Sequence, residues 1–378
     1  MRIGIIYETT YPEFKGGVER WFSQLARGLS ENSIQVVYLN SIGRVSTEKN
    51  LNYKALKNSK GAFHETGERS SQNVISFAIS VFRNLKKDDF EIVYLSAFPF
   101  FHIWAARIIQ ILFRKKYKIY VEWFELPSFR FWKSEFGSFL GVLGYLVQRT
   151  SVRISDVNVS YMASTTKQLS RIMRHRQKTL ELPGICMDED YDLIPNVKVE
   201  KIDVCQIGRL TKDKQPILSL HAIKAFKDLG WKGKFHLLGS GPLSRDVSSF
   251  VKENNMGEYV IIHGDGPEET KKEILSKSMV LLHPSKREGF GLAIVEAAAA
   301  GVPAILIQSE NNKSTELGIN PSLVSYSNQA EELTSLLFHS LKFKDQLSSE
   351  SLLWNKQVRP RILAASSISI LSNHFNSR

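Results

Sequence analysis

Residues 280–305 decide the fold, and they read VLLHPSKREGFGLAIVEAAAAGVPAI. A short apolar run, 279–282, is typical of a buried parallel strand, and a His-Pro-Ser segment follows it. Residues 292–300 favour a helix, with Gly301 as its C-terminal stop and Pro303 just beyond. The segment therefore predicts a strand, a charged loop that contains glycine, and a helix.

The loop and the helix together suggest a ligand site. Gly289 and Gly291 permit a tight turn, and the first helical N–H groups have no partner within the helix. These donors and the positive end of the helix dipole favour a phosphate or a sugar oxygen. Glu288 precedes the helix and Glu296 lies about two turns along it. Both could therefore accept hydrogen bonds from hydroxyl groups of one extended ligand. Alternatively, Glu288 is solvated and Glu296 satisfies a polar group of the core.

The whole string reads Pro-Ser-x-x-Glu-Gly-Phe-Gly-Leu-x-x-x-Glu-Ala-x-Ala-x-Gly-x-Pro. It resembles the E-x7-E signature of the retaining glycosyltransferases of family 4, which have the GT-B fold. The resemblance implies that Glu288 holds sugar hydroxyls and Glu296 the ribose hydroxyls of a nucleotide-sugar donor. The helix start that it implies for donor binding consists of Gly289, Phe290, Gly291 and Leu292.

A second motif follows the predicted strand 204–207 and reads GRLTKDKQ from Gly208 to Gln215. It resembles the family's G-R-L-x-x-x-K-G segment, with Gln215 where glycine is usual. Arg209 can bind phosphate oxygens through two N–H groups while Lys214 adds a point charge, so the pair suits a diphosphate. Taken alone, the segment is equally consistent with two solvated cations. The glycines after strands of this domain that belong to the predicted donor site are Gly208, Gly239 and Gly264.

The N-terminal strand, 2–7, leads through a loop to Gly16 and Gly17 and then into a helix with apolar residues at helical spacing. This arrangement resembles the N-terminal loop of the family, where a glycine pair approaches the donor phosphate and the acceptor. A plain tight turn is equally consistent with it.

The family usually has a histidine after the strand predicted at 119–121, and this chain has Glu122-Trp123-Phe124-Glu125 there. Either Glu122 or Glu125 can take the place of that histidine, and Glu122 is favoured because it directly follows the strand. The alternative for both is neutralisation of nearby cations.

The length of 378 residues suits two α/β domains. The resemblance implies two Rossmann-like domains with parallel sheets that face each other across a cleft. We predict an acceptor-side domain at 1–186, a linker at 187–201, a nucleotide-sugar domain at 202–351, and a C-terminal helical segment at 352–378 that packs back on the first domain. Cys186 and Cys205 form neither a disulfide framework nor a metal site.

The predicted linker contains Asp188-Glu189-Asp190, which matches the short DxD metal motif of other glycosyltransferases. Three residues are a weak signal, and the GT-B class generally works without a metal. We therefore expect neither a metal site nor a cofactor.

The net charge of +12 is unevenly distributed, since residues 101–180 hold 14 Lys and Arg against 4 Asp and Glu. No nucleic-acid-binding motif accompanies this charge, so we expect no nucleic acid as a partner. Two segments, 98–118 and 129–147, combine aromatic residues with Lys and Arg at their ends. This combination suits the surface of an anionic membrane. Packing in the core is the alternative for 98–113.

The start of the chain lacks the long apolar core of a signal peptide, and the stretch 136–147 is too short to span a bilayer. We expect a cytoplasmic protein, peripheral on the inner face of the plasma membrane. Its expected acceptor is a glycan or a polyprenyl-linked saccharide, and its product a cell-surface polysaccharide or glycoconjugate.

Two other functions were weighed. A dinucleotide oxidoreductase needs G-x-G-x-x-G after the first strand, and Gly16-Gly17 does not fit that pattern. A catalytically degenerate, donor-binding partner subunit of a glycosyltransferase complex is the stronger alternative, because the family's histidine is absent.

Overall fold

The computed structural model of the protein divides into two compact units. One unit is Met1–Ile185 with Ile362–Arg378, and the other is Cys186–Arg361. The predicted linker and its DxD match fall almost entirely in a part of the chain that is not described. The residues that the structure describes are 1–14, 16–43, 45–56, 71–186 and 201–377, with no side chains for 71 and 72.

The described residues of the first unit form an eight-stranded sheet, parallel except for the antiparallel pair at one edge. Its strands are β1 (Arg2–Ile6), β2 (Gln35–Asn40), β3 (Ser46–Thr47), β4 (Leu51–Ala55), β5 (Ile92–Ser96), β6 (Lys118–Trp123), β7 (Val157–Ser160) and β8 (Lys178–Glu181). They lie in the order β3-β4-β2-β1-β5-β6-β7-β8. The central strands are runs of Ile, Val, Leu and Tyr that are buried on both faces, as a covered parallel sheet requires.

Five helices among the described residues of the first unit connect these strands. In the first of them, Trp21, Phe22, Leu25 and Leu29 are buried at intervals that place them on one helical face. The helices are α1 (Gly17–Glu31), α2 (Ser71–Leu85), α3 (Phe101–Leu112), α4 (Phe129–Ile154) and α5 (Ala163–Ser170). Gly137 interrupts α4 with φ 76° and ψ 178°, so α4 consists of two helical legs joined at a kink.

The second unit contains a six-stranded parallel sheet among its described residues. Its strands are β9 (Asp203–Ile207), β10 (Phe235–Leu238), β11 (Val260–Gly264), β12 (Ser278–His283), β14 (Ala304–Ile307) and β16 (Val324–Ser325), and a two-stranded sheet joins β13 (Arg287–Glu288) to β15 (Asn311–Asn312). Its helices are α6 (Pro216–Asp228), α7 (Ser244–Glu253), α8 (Glu268–Lys277), α9 (Leu292–Ala299), α10 (Ala330–Lys342) and α11 (Lys344–Val358). The strand and helix predicted from 279–300 are confirmed as β12 and α9.

The chain returns to the first unit later than predicted. Leu352 lies in α11, which packs on α9 in the second unit, and its side chain lies close to Gly301. The segment that joins the first unit begins at Ile362 and contains the last helix, α12 (Ala364–Asn376). Ser367 of α12 donates a hydrogen bond of 2.5 Å to the carbonyl oxygen of Gly184. The predicted start at residue 352 is therefore wrong, because the segment that belongs to the first unit begins at Ile362.

Candidate functional site

Gly208, Gly239 and Gly264, three of the glycines predicted for the donor site, lie together at one edge of the second sheet. The order β11-β10-β9-β12 brings the carboxyl ends of these parallel strands side by side. The N–H of Gly208 donates to the carbonyl of Leu238 over 2.9 Å, and that of Gly239 donates to Gly264 over 2.8 Å. Gly239 has φ 134°, and a Cβ at this position would overlap the carbonyl oxygen of Gly208. The backbones approach so closely that only glycine fits there.

Lys214 and Glu288 meet at this edge as an ion pair between Nζ and Oε2. His283, the last residue of β12, places its Nε2 2.9 Å from the same carboxylate oxygen. Gln215 adopts φ 50° and ψ 50°, the left-handed conformation that glycine enters at little cost. This conformation explains why the related motif has glycine at that position.

Backbone contacts hold the two loops that carry the ion pair. The N–H of Lys286 donates to the carbonyl of Asp213 over 2.8 Å, which ties the loop of Lys214 to that of Glu288. Asn312 is buried, and its Nδ2 donates to the carbonyl of Ser285 over 2.9 Å. Glu288 itself lies in β13, which pairs with β15. The carboxylate is therefore fixed from both sides before any ligand binds.

The electrostatics of this cluster favour a charged pair beside a neutral ring. Burial by itself would raise the pKa of Glu288, but Lys214 and the hydrogen bond from His283 hold that pKa well below its ordinary value. Burial lowers the pKa of His283, so its neutral imidazole donates Nε2–H to the carboxylate. Sequence reasoning did not select His283. The available signal was its place at the end of a strand, five residues before Glu288.

The start of α9 lies directly after this loop. Gly291 is its N-cap, with φ 86° and ψ 54°, and no side chain caps the helix. A Cβ on Gly291 would crowd Ile294 and Ser314. Phe290 is buried, whereas Gly289 and Leu292 are partly exposed. The helix start thus lacks a side-chain cap, and its role in binding a ligand stays a prediction.

Glu296 is buried in α9, and its Oε2 lies 2.9 Å from Nζ of Lys271. Lys271 belongs to α8 and also pairs with Glu268. The pair agrees with the alternative in which Glu296 satisfies a polar group of the core. Lys271 was not selected from the sequence, because nothing in the order of residues indicates which cation of α8 faces α9.

Arg209 differs from Lys214 although both were predicted to bind the diphosphate. Its side chain is exposed, and within the described residues its guanidinium has neither a hydrogen-bond nor an ion-pair partner. Its position next to Gly208 places it at the same edge of the sheet. It is therefore a cation that a ligand can engage without displacing another contact.

In the first unit, Gly16 is the N-cap of α1 and Gly17 is its first residue. The carboxylate of Glu19 lies against Gly16, where a Cβ would overlap Oε2. Glu19 also accepts hydrogen bonds from the hydroxyls of Tyr7 at 3.3 Å and Thr9 at 3.2 Å. A negative charge at this helix start disfavours the donor phosphate predicted for the glycine pair, and it favours hydroxyl groups.

Glu122 lies within β6, not after it, and its side chain has no exposed surface. The indole of Trp21 donates to its Oε1, and so does the hydroxyl of Tyr161. Burial raises the pKa of Glu122 to about 7, against hydrogen bonds from Tyr161, Tyr94 and Trp21 that lower it. The predicted catalytic role of Glu122 is wrong for this position, because a ligand cannot reach the carboxyl. The other candidate, Glu125, is partly exposed.

The segment predicted to bind membranes is divided between core and surface. Trp132 was grouped with the surface residues, but it is buried and donates a hydrogen bond of 2.8 Å to Gln148. None of the described helices is long and apolar enough to cross a bilayer. The apolar residues of α4 that are at least half exposed are Phe136, Phe139, Leu140, Leu143 and Leu146.

The second unit, with its paired Lys214 and Glu288 before the α9 start, has a counterpart among known families. Residues 188–335 match the glycosyl transferases group 1. Residues 1–64 match a family described as a domain of unknown function.

Individual relatives agree with this match. An uncharacterized 41.2 kDa protein in the cps region of Klebsiella pneumoniae is 26% identical over 262 residues, which are 65% of this chain and 68% of that protein. The putative colanic acid biosynthesis glycosyltransferase WcaL of Escherichia coli is 26% identical over 110 residues, 28% of this chain and 27% of that protein. Both the family model and WcaL describe glycosyltransferases, and each match covers less than half of this chain.

Solved structures resemble the whole chain. Anabaena Alr3699/HepE in complex with UDP-glucose has a TM-score of 0.72 at 11% identity, and the match covers 100% of both chains. At 11% identity, the structural similarity supports only a shared fold. The predicted α/β class and GT-B fold are confirmed.

Proposed function

We propose that this protein is a retaining glycosyltransferase of family 4. It moves a sugar from a UDP- or GDP-sugar to a glycan or a polyprenyl-linked saccharide in the synthesis of cell-surface polysaccharide or glycoconjugate. The observation that carries the proposal is the ion pair of Lys214 and Glu288, held beside the uncapped start of α9. Cations and helix donors suit the diphosphate of a nucleotide-sugar, and the fixed carboxylate at the same sheet edge suits the hydroxyls of its sugar.

The chemistry requires charge stabilisation on the departing nucleotide diphosphate. Arg209, Lys214 and the first N–H groups of α9 supply donors where that negative charge develops. Glu288 accepts hydrogen bonds from hydroxyl groups of the transferred sugar, since Lys214 and His283 keep its carboxylate ionised and oriented. Glu296 accepts the ribose hydroxyls. The departing phosphate takes the acceptor proton, so the scheme needs no separate general base and no metal.

The kind of donor and acceptor follows from the relatives. The HepE structure holds UDP-glucose, which makes a UDP-hexose the first donor to test. WcaL is described as a colanic acid enzyme, and the Klebsiella protein comes from a cps region, so a surface polysaccharide is the product class to expect. The proposed place of the reaction is the cytoplasm.

A peripheral contact with the inner face of the plasma membrane is part of the proposal. The exposed apolar residues of α4 lie on both sides of the kink at Gly137, and the exposed cations Arg130 and Lys133 precede it. Apolar side chains next to cations suit the headgroup region of an anionic leaflet, where each cation contributes about 1 kcal/mol. Such contact would bring the protein to a polyprenyl-linked acceptor.

The proposal is tested with UDP-glucose, UDP-galactose and GDP-mannose as donors. Thermal shift reports binding, nucleotide release reports turnover, and proton NMR of the product reports the anomeric configuration. Lys232→Ala serves as a control, because Lys232 is an exposed cation before β10, at the opposite edge of the sheet. Binding without turnover would favour the degenerate partner subunit. Neither binding nor turnover with any of the three donors would overturn the proposal.

A further inference from the structure

Two aromatic side chains stand at the carboxyl edge of the first sheet. Tyr7 directly follows β1, and Phe124 directly follows β6, with β5 between the two strands. Ile6 of β1 and Val121 of β6 are both paired with Leu95 of β5, so β6 extends two residues beyond the end of β1 at this edge. Open α/β sheets bind their ligands outside this edge. Tyr7 and Phe124 are both only partly buried there.

A continuous series of rings connects these two side chains. The ring of Tyr7 stacks on Phe22 with a centroid distance of 4.7 Å and an angle of 14°. The ring of Phe124 stacks on Tyr161 at 5.5 Å and 17°. The ring centroids of Phe22 and Phe124 are 6.4 Å apart and the two ring planes are inclined at 55°, so the rings of Tyr7 and Phe124 are not parallel. The rings of Phe22 and Tyr161 are buried, so they fix the planes of Tyr7 and Phe124, which stack on them.

The buried layer below this series is held by polar contacts. Tyr161 donates its hydroxyl to Glu122, and the indole of Trp21 meets the ring of Tyr161 edge to face at 6.0 Å. Trp21 also donates to Glu122. The rings of Tyr7 and Phe124 therefore rest on side chains that have little freedom to move, which lowers the entropic cost of binding a ligand on them.

A hydrogen-bond acceptor lies beside the rings. Glu19 accepts the hydroxyl of Tyr7 at 3.3 Å and that of Thr9 at 3.2 Å, and its side chain is only partly buried. A carboxylate has about four lone-pair positions, so it can accept further hydroxyl groups. Its charge disfavours phosphate at this place. A neutral ligand that is rich in hydroxyls and has one flat C–H face fits both features.

We propose that Phe124 forms an aromatic platform for a pyranose ring of the acceptor, with the ring of Tyr7 inclined beside it and Glu19 accepting hydrogen bonds from hydroxyls of that sugar. The C–H groups of a pyranose carry partial positive charge and meet the negative face of an aromatic ring. The assignment of this sugar to the acceptor substrate rests on the proposed function. Binding of a pyranose at this platform does not.

The experiment uses the full chain and three probes, the methyl pyranosides of glucose, galactose and mannose. Saturation-transfer NMR reports which ring protons lie against the protein. At least one probe is expected to receive saturation on its C–H face, and Phe124→Ala is expected to lower that signal at least tenfold. Phe124→Trp keeps a flat ring and retains the signal. Tyr326→Ala removes an exposed aromatic residue of the second unit and leaves the signal unchanged.

Loss of folding is checked by circular dichroism, and Glu19→Gln provides a second variant that leaves the rings in place. That variant is expected to lower the signal at least threefold, through weaker hydroxyl binding. A wild-type signal in Phe124→Ala, an equal loss in Tyr326→Ala, or no saturation of any probe by the unchanged protein would overturn the platform. Nucleotide release by the unchanged protein is measured in parallel. If the probes bind through Phe124 but no nucleotide is released, the proposed function is contradicted and the platform is supported.

Discussion

The indole nitrogen of Trp21 donates a hydrogen bond of 2.5 Å to Oε1 of Glu122, whose side chain has no exposed surface. Trp21 belongs to α1 and Glu122 to β6, so the bond connects the helix that follows Gly16 and Gly17 to the interior of the sheet. Tyr161 donates to the same oxygen. The carboxyl of Glu122 therefore holds α1 and Tyr161 against the sheet.

The buried carboxyl predicts how stability depends on pH. Burial raises the pKa of Glu122 from 4.5 to about 7, so the folded protein binds the proton more tightly than the unfolded chain. The stability that this provides is fully present below the unfolded pKa and is lost as pH rises through about 7, by about 3 kcal/mol. Glu122→Gln cannot ionise and should lose less stability over this range.

Urea unfolding of both proteins at about pH 5 and about pH 8 measures the difference. The change in the free energy of unfolding between the two pH values should be smaller for the variant by about 2.5 kcal/mol, because part of the total loss has already occurred at pH 5. The same change in both proteins would mean that Glu122 does not titrate in this range.

Arg209→Ala separates donor binding from folding. Because Arg209 is exposed and has no partner among the described side chains, its loss should change the free energy of unfolding by less than about 0.5 kcal/mol. Transfer should fall by about two orders of magnitude, since one preorganised contact to the leaving diphosphate is removed. Initial rates and thermal unfolding, with Lys232→Ala as the charge-matched control, measure both effects. A transfer rate near that of the wild type would take Arg209 out of the donor site.

Lys214→Ala and Glu288→Ala should each reduce transfer by about two orders of magnitude as well. The sequence places both in exposed loops, and on that basis neither change affects the fold. In the structure they form a pair in which each side chain is less than one-fifth exposed, so each single change leaves a partly buried charge. Each variant should therefore also lose about 1–3 kcal/mol of stability.

A double-mutant cycle with Lys214→Ala and Glu288→Ala measures the pair directly. The two losses of stability should not add, with a coupling of about 0.5–3 kcal/mol. Additive losses would mean that the pair does not form in solution. Normal transfer by either variant would contradict the assignment of the donor site.

Activity should survive treatment with EDTA. Arg209, Lys214 and the α9 start supply the charge and the donors that a metal would otherwise provide. Asp188 and Asp190 fall outside the described residues, and within the described ranges no cluster of His, Cys, Asp and Glu is arranged to hold a metal ion. Rates with and without EDTA, with added Mn²⁺ or Mg²⁺, provide the measurement. A metal requirement that Asp188→Asn abolishes would show that the DxD match is functional.

Sedimentation with liposomes tests the surface of α4. Binding should increase with the fraction of anionic lipid and decrease with salt, because Arg130 and Lys133 are exposed cations. Phe139→Ser combined with Leu143→Ser should weaken it, since both side chains are more than half exposed. Trp132 is unsuitable for this test because it is buried. Binding absent from neutral and anionic vesicles alike would favour an acceptor that is not anchored in a membrane.

Local signals in the sequence were sufficient for much of the fold. Apolar runs bounded by glycine and proline predicted β12, α9 and the strand before Gly208, because strand and helix periods are properties of neighbouring residues. The family resemblance predicted Glu288, Lys214 and the α9 start as one site, through two motifs that each have local spacing. The start of the C-terminal segment was wrong, since the helical pattern of α11 continues past residue 352 and only packing decides which unit receives it.

Contacts between residues far apart in the chain were decided by the tertiary structure. Lys214 and Glu288 are 74 residues apart, and Trp21 and Glu122 are 101 apart. No local pattern records such pairs, because burial and partner choice depend on how strands and helices stack. The sequence by itself therefore determined which residues could bind a donor. The packing decided that Glu288 is held by Lys214 and His283, and that Glu122 is buried, where its carboxyl supports α1 and cannot reach a substrate.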